Sequence, residues 1–404
     1  VRSGAEWKQV WRNQPGLDES QFQASGWPKS PLGDLSAVTS NDFVVPADIG
    51  LKGTDGQTPG CLVGEFAEAL PLTLARADAL ADRLQYPVPG WEPFAVNKTI
   101  QVEANKQDVG RVLATENWPS GTLVVVSGSG PAEMTPVEVK GKALRIEFKH
   151  TGEAPLVLSP RSKTKTDEAM FIVEGGSLEI INGQFRFPNT SSEPLPQFFL
   201  SVFDGDFSLR RCQVIGQTLD GTSKFVGLIR WKRSVVEAKD RSQPAERNSG
   251  LIVDSALLTS GRLLDADMRN RTLLLRNSLF ASIGDLFDWN VQGFDSRLGA
   301  TVDARWCTFG AGGKFLFQVR GTKDAEKTTR PLSVFVENSI LLPLTDLSGA
   351  TPVLLSVRDY VLSNQQVAWW DYSNGYAAPW PQLVRPADTP PKASQSFESD
   401  WKNL

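Results

Sequence analysis

The chain has 404 residues, of which 40% are hydrophobic and 22% are charged, and its formal net charge is −4. This composition indicates a mostly globular protein with one large domain or two to three ordinary ones. The small net charge and the lack of a long basic run argue against nucleic acid as a partner, and no apolar run is long enough to cross a bilayer. We therefore expect no nucleic-acid partner, no membrane insertion by this segment and no cofactor.

The first 60 residues predict an N-terminal extension. Trp7-Lys8 and Trp401-Lys402 each follow an acidic residue, at opposite ends of the chain. One interpretation makes residues 1–60 the tail of a preceding unit in a tandem array, and the other treats the Trp-Lys pairs as chance. The chain starts without Met and without a signal-peptide pattern, so we expect a processed or excised piece of a longer protein.

Residues 61–118 predict a helical linker followed by an N-terminal capping helix. In the stretch "DVGRVLATENW", Asp108 is a good N-cap, and Val109, Val112 and Leu113 share one helical face. A solenoid needs such a helix because its first strand would otherwise present an unpaired edge.

One short pattern, first seen in "LEIINGQF" from Leu178, recurs five more times. The copies start at residues 178, 207, 251, 273, 302 and 334, so the shortest spacing is 22 residues. Each copy alternates like a strand, bends at a polar-small pair and begins a second strand. Variable insertions at this spacing suit a parallel β-helix, and parallel crossovers favour the right hand. Stacking should place Leu178, Leu273 and Val334 in one column.

These patterns predict an all-β fold, a right-handed parallel β-helix with a capping helix and irregular or helical terminal extensions. The β-helix itself is predicted over residues 119–378, and a Pro-rich C-terminal extension over 379–404. Three segments in order, "SGTLVVVSGSGP", "VEVKGKALRIEFKHTGEAPLVL" and "FIVEGGSLEIINGQFRF", resemble the β-helix domains of planctomycete bacteria. That resemblance implies a pectate-lyase-like architecture, in domains often found C-terminal to Ser/Thr protein kinases or in long secreted proteins. No kinase motif occurs in this chain.

The three cysteines, Cys61, Cys212 and Cys307, form no CxxC pair and no disulfide framework. Cys212 and Cys307 occupy the same column three copies apart, a separation of about 14 Å at roughly 4.8 Å per coil. They are therefore too far apart to bond, and we interpret both as small buried hydrophobes.

Candidate chemical sites rest on short acidic stretches. For catalysis the best local candidates, projecting as one row, are Asp265, Asp267, Arg269 and Arg271. For calcium the candidates are Asp204, Asp206, Asp285 and Asp288. The competing interpretation of each stretch is a solvated turn or charged outer face. The single histidine, His150, predicts a surface role at a coil corner and argues against a zinc site built on two or more histidines.

The C-terminal stretch concentrates aromatic residues that can bind a partner. They are Trp369, Trp370, Tyr372, Tyr376 and Trp380. Such a cluster can close the open end of the solenoid, anchor a protein interface or stack on sugar rings.

Three functional hypotheses remain. The first is a non-enzymatic extracytoplasmic module, secreted or at the cell surface, for binding, adhesion or assembly, with a protein partner or self-association expected and a glycan as the other ligand. The second is a polysaccharide lyase or other carbohydrate-active enzyme on the same scaffold. The third is the sensor segment of a membrane Ser/Thr kinase, which rests only on the domain neighbours of the resembling family.

Overall fold

Three parallel sheets make up the part of the chain that the computed structural model describes. That part comprises residues 95–152, 154–161, 169–187, 195–216, 226–233, 248–291, 299–321, 331–344, 353–358, 360–361, 366–372, 374–376 and 384–386. The predicted extension over residues 1–60 and residues 61–94 of the predicted helical linker lie outside the described residues.

Sheet 1 has ten strands: β1 (Lys98–Glu103), β2 (Thr122–Gly128), β5 (Ala143–His150), β8 (Ser177–Ile181), β11 (Asp206–Arg210), β14 (Asn248–Val253), β17 (Arg271–Arg276), β20 (Ala300–Arg305), β23 (Leu332–Glu337) and β26 (Val367–Tyr372). Sheet 2 has nine: β3 (Gly130–Met134), β6 (Leu156–Pro160), β9 (Gln184–Arg186), β12 (Gln213–Gly216), β15 (Ala256–Thr259), β18 (Leu279–Ser282), β21 (Thr308–Ala311), β24 (Ile340–Pro343) and β27 (Gly375–Tyr376). Sheet 3 has nine: β4 (Val137–Lys140), β7 (Ala169–Glu174), β10 (Phe198–Phe203), β13 (Gly227–Lys232), β16 (Arg262–Asp267), β19 (Phe287–Asn290), β22 (Phe315–Arg320), β25 (Val353–Val357) and β28 (Val384–Pro386).

From β2 onward the chain visits the three sheets in a fixed order, and every third strand returns to the same sheet; β1 precedes this cycle and pairs with β2 in sheet 1. Neighbouring strands in each sheet are parallel and paired in register, so each circuit is one coil stacked on the last. This confirms the predicted right-handed parallel β-helix. The strands run from Lys98 to Pro386, beyond both ends of the predicted range of 119–378.

The predicted bend lies between sheets 1 and 2 and uses the left-handed backbone region. The polar residue of the pair has a φ of 60° at Asn182, 42° at Asn277 and 51° at Asn338. Asn tolerates this region better than most side chains do, which explains why it recurs there. Arg211 and Trp306 adopt the same conformation, with φ of 54° and 55°, without that advantage.

The repeat at Leu251 is one residue out of register with the prediction. Gly250, not Leu251, lies between Phe207 and Leu273 in the column, which continues to Val302 and Val334 as predicted. A Cβ on Gly250 would lie 2.7 Å from the Phe207 ring and 3.1 Å from Leu273. Larger neighbours thus fill the space above and below a glycine, and the apolar pattern alone could not reveal this.

The two described cysteines are buried and free, as the column argument predicted. Burial raises the pKa of each thiol to about 12. Their backbone N–H groups donate to the hydroxyls one coil further on, Cys212 to Ser255 at 3.0 Å and Cys307 to Ser339 at 3.1 Å. Ser255 continues the series, because its N–H donates to the Ser278 hydroxyl at 3.1 Å. These small residues therefore form hydrogen bonds that tie adjacent coils together.

Helix α1 (Val109–Thr115) packs against β1, β3 and β4 at the start of the solenoid. Asp108 is its N-cap: one carboxylate oxygen accepts from the backbone N–H groups of Arg111 and Thr135 at 3.2 and 2.9 Å. Val109 and Leu113 face the core. The predicted helix and N-cap are confirmed, but the helix follows β1 rather than preceding the first strand.

Candidate functional site

The outer face of sheet 3 brings two carboxylates side by side. Asp265 on β16 and Asp288 on β19 are in-register neighbours on adjacent parallel strands. Neighbouring strands lie about 4.8 Å apart, so the two side chains project together from one face. The next residue on each strand, Ala266 and Trp289, points to the opposite face and is fully buried, which holds both strands on the core.

Four basic side chains surround this carboxylate pair. Lys232 contacts Asp265 at 2.5 Å, and Arg262 contacts Asp288 at 2.8 Å. Arg320 spans both acids, with its Nε 2.7 Å from Asp288 and a terminal nitrogen 3.4 Å from Asp265. The fourth, Arg230, is the in-register neighbour of Asp265 on the other side and lies against the rings of Phe198 and Phe203.

The two acids differ in their exposure to water. The Asp265 side chain is 21% exposed, whereas that of Asp288 is 3% exposed beneath the arginines. Burial raises the pKa of Asp288, and the neighbouring charge of Asp265 adds to the effect, against the opposing pull of Arg262 and Arg320. The buried acid therefore holds its proton to a higher pH than an ordinary aspartate does.

The row of outward side chains on sheet 3 follows the solenoid axis. Arg230, Asp265, Asp288, Gln318 and Ser356 occupy one register position on five successive coils. With coils about 4.8 Å apart, the row extends for about 14 Å from Arg230 to Gln318, and Ser356 beyond it is buried. The two acids lie within a track of polar groups long enough for several units of a linear polymer.

The predicted catalytic row is divided by the structure. Asp265 faces outward beside Asp288, but β16 ends at Asp267 and the chain turns through Asn270, which has a φ of 52°. Arg269 folds back and contacts Asp267 at 2.9 Å. Burial alone would raise the pKa of Asp267, but the hydrogen bonds and charge of Arg269 outweigh burial and lower it.

Arg271 is a buried structural arginine. It is 1% exposed, and its terminal nitrogens donate to the carbonyl oxygens of Trp231 and Asp267, both at 2.7 Å, and of Lys232 at 2.8 Å. Its guanidinium lies 4.7 Å from the centre of the Trp231 ring. The prediction that Arg271 continues the row of Asp265 was wrong, because the corner turns its side chain into the interior.

The predicted calcium ligands are engaged with protein groups. Asp206 accepts from the Ser249 N–H at 2.6 Å, and Asp285 accepts from the Lys314 N–H at 2.7 Å. Asp204 lies 3.9 Å from Arg271, and Asp288 contacts two arginines. Within the described residues, no three or more His, Cys, Asp or Glu side chains are grouped to hold a metal ion.

The predicted aromatic set is divided between the interior and the surface. Trp369 faces the core, where its ring packs edge-on against Phe317 with centroids 5.1 Å apart. Trp370 faces outward and is 47% exposed, because consecutive residues of a strand point to opposite faces. Tyr372 is the last residue of β26 and Tyr376 the last residue of β27, and the structure describes only the backbone of these two. Trp380 lies outside the described residues.

His150 is exposed at a coil corner, consistent with the predicted surface role. Its Nδ1 accepts a hydrogen bond from the Leu156 N–H at 3.0 Å. Partial burial lowers its pKa, against a smaller opposing effect of a backbone hydrogen bond with Asn182. The neutral ring thus supports the corner.

The sequence analysis did not predict that Asp265 and Asp288 pair. It also missed their basic partners: Lys232 for Asp265, Arg262 for Asp288, and Arg320 for both acids. A signal was present in the third strand of each coil. The segments "IRWK", "LDAD", "FDWN" and "FQVR" share an alternation of apolar and polar residues, and aligning them places Asp265 beside Asp288. The repeat that starts at Leu178 covers strands of sheets 1 and 2 only, so it does not reveal this alignment of sheet 3 strands.

No protein-family model matches the chain, and no curated protein matches it. Among solved structures it is similar to the deglycosylated pectin methylesterase of Aspergillus niger, at 11% identity and a TM-score of 0.39, covering 76% of this chain and 93% of that one. It is also similar to the carrot pectin methylesterase, at 13% identity and a TM-score of 0.39, covering 73% and 88%. At these values the likeness carries no argument about activity.

Proposed function

We propose that this protein is a carbohydrate-active enzyme that hydrolyses an acidic polysaccharide at Asp265 and Asp288. The observation that carries the proposal is the carboxylate pair itself, with two acids in register on adjacent coils, spanned by Arg320. Hydrolases of sugar polymers need one acid that gives a proton and one carboxylate that attacks or activates water. Two carboxyl groups in unequal environments meet that requirement.

Asp288 suits the role of proton donor because burial raises its pKa. Asp265, the more exposed acid, suits the role of base or nucleophile, and Lys232 stabilises its negative charge at 2.5 Å. In the hydrolysis, water contributes OH to the carbon that is attacked. The leaving oxygen takes its proton from Asp288, and the water proton restores the acid by way of Asp265.

The proposed substrate is an acidic polymer because of the charge and shape of the face. Arg230, Lys232, Arg262 and Arg320 outnumber the two carboxylates, so the face has an excess of positive charge. The polar track along the axis suits a linear chain rather than a compact ligand. A polymer substrate of this size also favours action outside the cytoplasm. No helix in the described part of the chain has the length and apolarity needed to span a membrane.

The test is turnover of soluble polyuronates, methyl-esterified and unesterified, by the full chain. Release of reducing ends would report glycosidic cleavage, and release of methanol would report ester cleavage. We expect Asp265→Asn and Asp288→Asn each to lower the rate at least a hundredfold, the usual minimum for loss of an acid–base group. Glu174→Gln is the matched control, because Glu174 is an exposed, ion-paired acid on the same sheet.

Equal activity in the wild type and both asparagine variants would contradict the proposal, as would no turnover of any polyuronate. If the protein then binds the polymer but releases no product, the first hypothesis from the sequence, a binding module without catalysis, would be favoured. The kinase-sensor hypothesis stays a hypothesis, since nothing in the described residues bears on it.

A further inference from the structure

The outer face of sheet 1 presents a pair of stacked aromatic rings far along the solenoid. Phe335 on β23 and Trp370 on β26 are in-register neighbours. Their ring centroids are 4.5 Å apart and their planes differ by 10°. They are 38% and 47% exposed, in contrast to most large apolar side chains of the described residues, which are buried.

The stacking leaves a defined surface open. The Phe335 ring covers one face of the Trp370 indole, so the exposed area of the indole lies on its opposite face and edge. An exposed flat ring is the surface that the apolar C–H face of a sugar packs against. Because the phenyl ring supports the indole, binding costs little side-chain entropy.

The groups beside the rings are polar and balanced in charge. Asp303 is the in-register neighbour of Phe335 and contacts Arg276 at 2.6 Å and Arg305 at 3.0 Å. Arg305 also lies 3.3 Å from Glu337. Two arginines and two acids cancel, whereas the sheet 3 face has an excess of positive charge.

We propose that Phe335 and Trp370, called here the aromatic platform, bind an uncharged sugar unit of a polysaccharide at a site separate from the Asp265–Asp288 pair. The balanced charge favours an uncharged unit over a polyanion. Hydroxyl groups of the sugar would meet the polar rim formed by Asp303, Arg305 and Glu337. The platform lies on sheet 1 and the acids on sheet 3, so one polymer-degrading protein would have a binding face and a reacting face.

The area of the platform argues against a protein partner. A fully buried aromatic side chain hides roughly 150–250 Å², so two half-exposed rings offer about 200 Å². A stable protein interface buries about 800 Å² on each side. The platform provides a small part of that area, but it is wide enough for one or two sugar rings.

The experiment is affinity electrophoresis of the full chain, which measures how far a neutral polysaccharide in the gel retards the protein. Xylan, galactan and glucan are separate probes. A parallel gel contains polygalacturonate. We expect at least one neutral polymer to retard the wild type. Trp370→Ala and Phe335→Ala should each weaken that retardation roughly tenfold in affinity, while Trp370→Tyr should retain part of it. Val226→Ala is the matched control, because Val226 is 50% exposed and lies outside the platform.

The remaining outcomes separate this proposal from the proposed catalytic function. Asp288→Asn should bind the neutral polymer as the wild type does, even if no turnover is ever found. Equal retardation of Trp370→Ala and the wild type would overturn the platform, as would no retardation by any neutral polymer. Sedimentation that shows a wild-type oligomer and a Trp370→Ala monomer would overturn it in favour of a self-association surface. Because the two rings are exposed, the variants should unfold at the wild-type denaturant midpoint.

Discussion

Asp288 on sheet 3 and Glu179 on sheet 1 are two buried acids that each form ion pairs with two arginines. They differ in the side chains that lie in register with them on adjacent strands. Each lies between two arginines: Asp288 between Arg262 and Arg320, and Glu179 between Arg145 and Arg210, at 2.5 and 3.0 Å. Their side chains are 3% and 2% exposed.

The two acids differ in their in-register neighbours on the adjacent coils. Asp288 has a second acid, Asp265, in register with it, whereas the in-register neighbours of Glu179 are Arg145 and Ser208. Burial lowers the pKa of Arg210, although the charge of Glu179 opposes that effect. An acid enclosed by arginines alone is a structural cross-link between coils, whereas a second acid beside it creates a place where a proton can be held and given. We therefore assign the proposed chemistry to the carboxylate pair on sheet 3 rather than to buried carboxylates in general.

The largest expected effect is on stability at Glu179. Glu179→Gln removes the negative charge and leaves two arginines facing each other, so the free energy of unfolding should fall by about 3 kcal/mol. Chemical denaturation measures this loss, and polyuronate turnover of the folded variant should stay at the wild-type level. A large loss of turnover at unchanged stability would break the comparison, because it would place the chemistry on sheet 1.

The next effect is on the ionisation of Asp288, and it has opposite signs for two variants. Asp265→Asn removes a negative charge and should lower the pKa of Asp288, whereas Arg320→Gln removes a positive charge and should raise it. Carboxyl carbon shifts of aspartate-labelled protein, followed by NMR during a pH titration, measure both changes. A change of the Asp288 pKa in the same direction in both variants would refute the electrostatic coupling of the pair.

The same raised pKa of Asp288 contributes to how wild-type stability depends on pH. Because the pKa of Asp288 is higher in the folded state than in the unfolded state, its stabilising contribution is present below the unfolded value and is lost as the pH rises through the folded value. In catalysis, the rate should decline over the same rise in pH, since the donor loses its proton. Glu179→Gln should leave the pH at which the rate declines unchanged.

The smallest expected effect concerns a third buried acid, Asp108, which accepts from backbone groups of Arg111 and Thr135 and lies 3.2 Å from Arg161. Asp108→Ala removes the N-cap of α1 and should lower the free energy of unfolding by about 1 kcal/mol. Thermal unfolding measures the loss, with Glu103→Gln, an exposed acid near the same helix, as the control. Turnover should not change, because Asp108 lies far from the pair in the chain and on another element.

Much of the fold was predictable because the coil repeats. Alternation predicted the strands, the recurring polar-small pair predicted the bend, and Asp108 marked the start of α1. The left-handed backbone at the bend is a finding of the structure. The register at Gly250 was not predictable, since it depends on Phe207 and Leu273 filling the space from neighbouring coils. Of the candidate site, Asp265 and Trp370 were identified, but Asp288 was assigned to a calcium site and Arg320 was missed.

The sequence by itself determined the strand alternation, the bends and the stacking of like residues, because these follow from local backbone preferences repeated coil after coil. Only the tertiary structure decided which side chains meet. Asp265 and Asp288 are 23 residues apart in the chain and adjacent across the sheet, and Arg320 reaches both from the following coil. Asp265 and Arg271 are close in the chain, yet a corner places one outside and the other in the interior. Long insertions change the number of residues between corresponding positions on successive coils. Contacts across coils therefore depend on the register of the three sheets and not on any local sequence pattern.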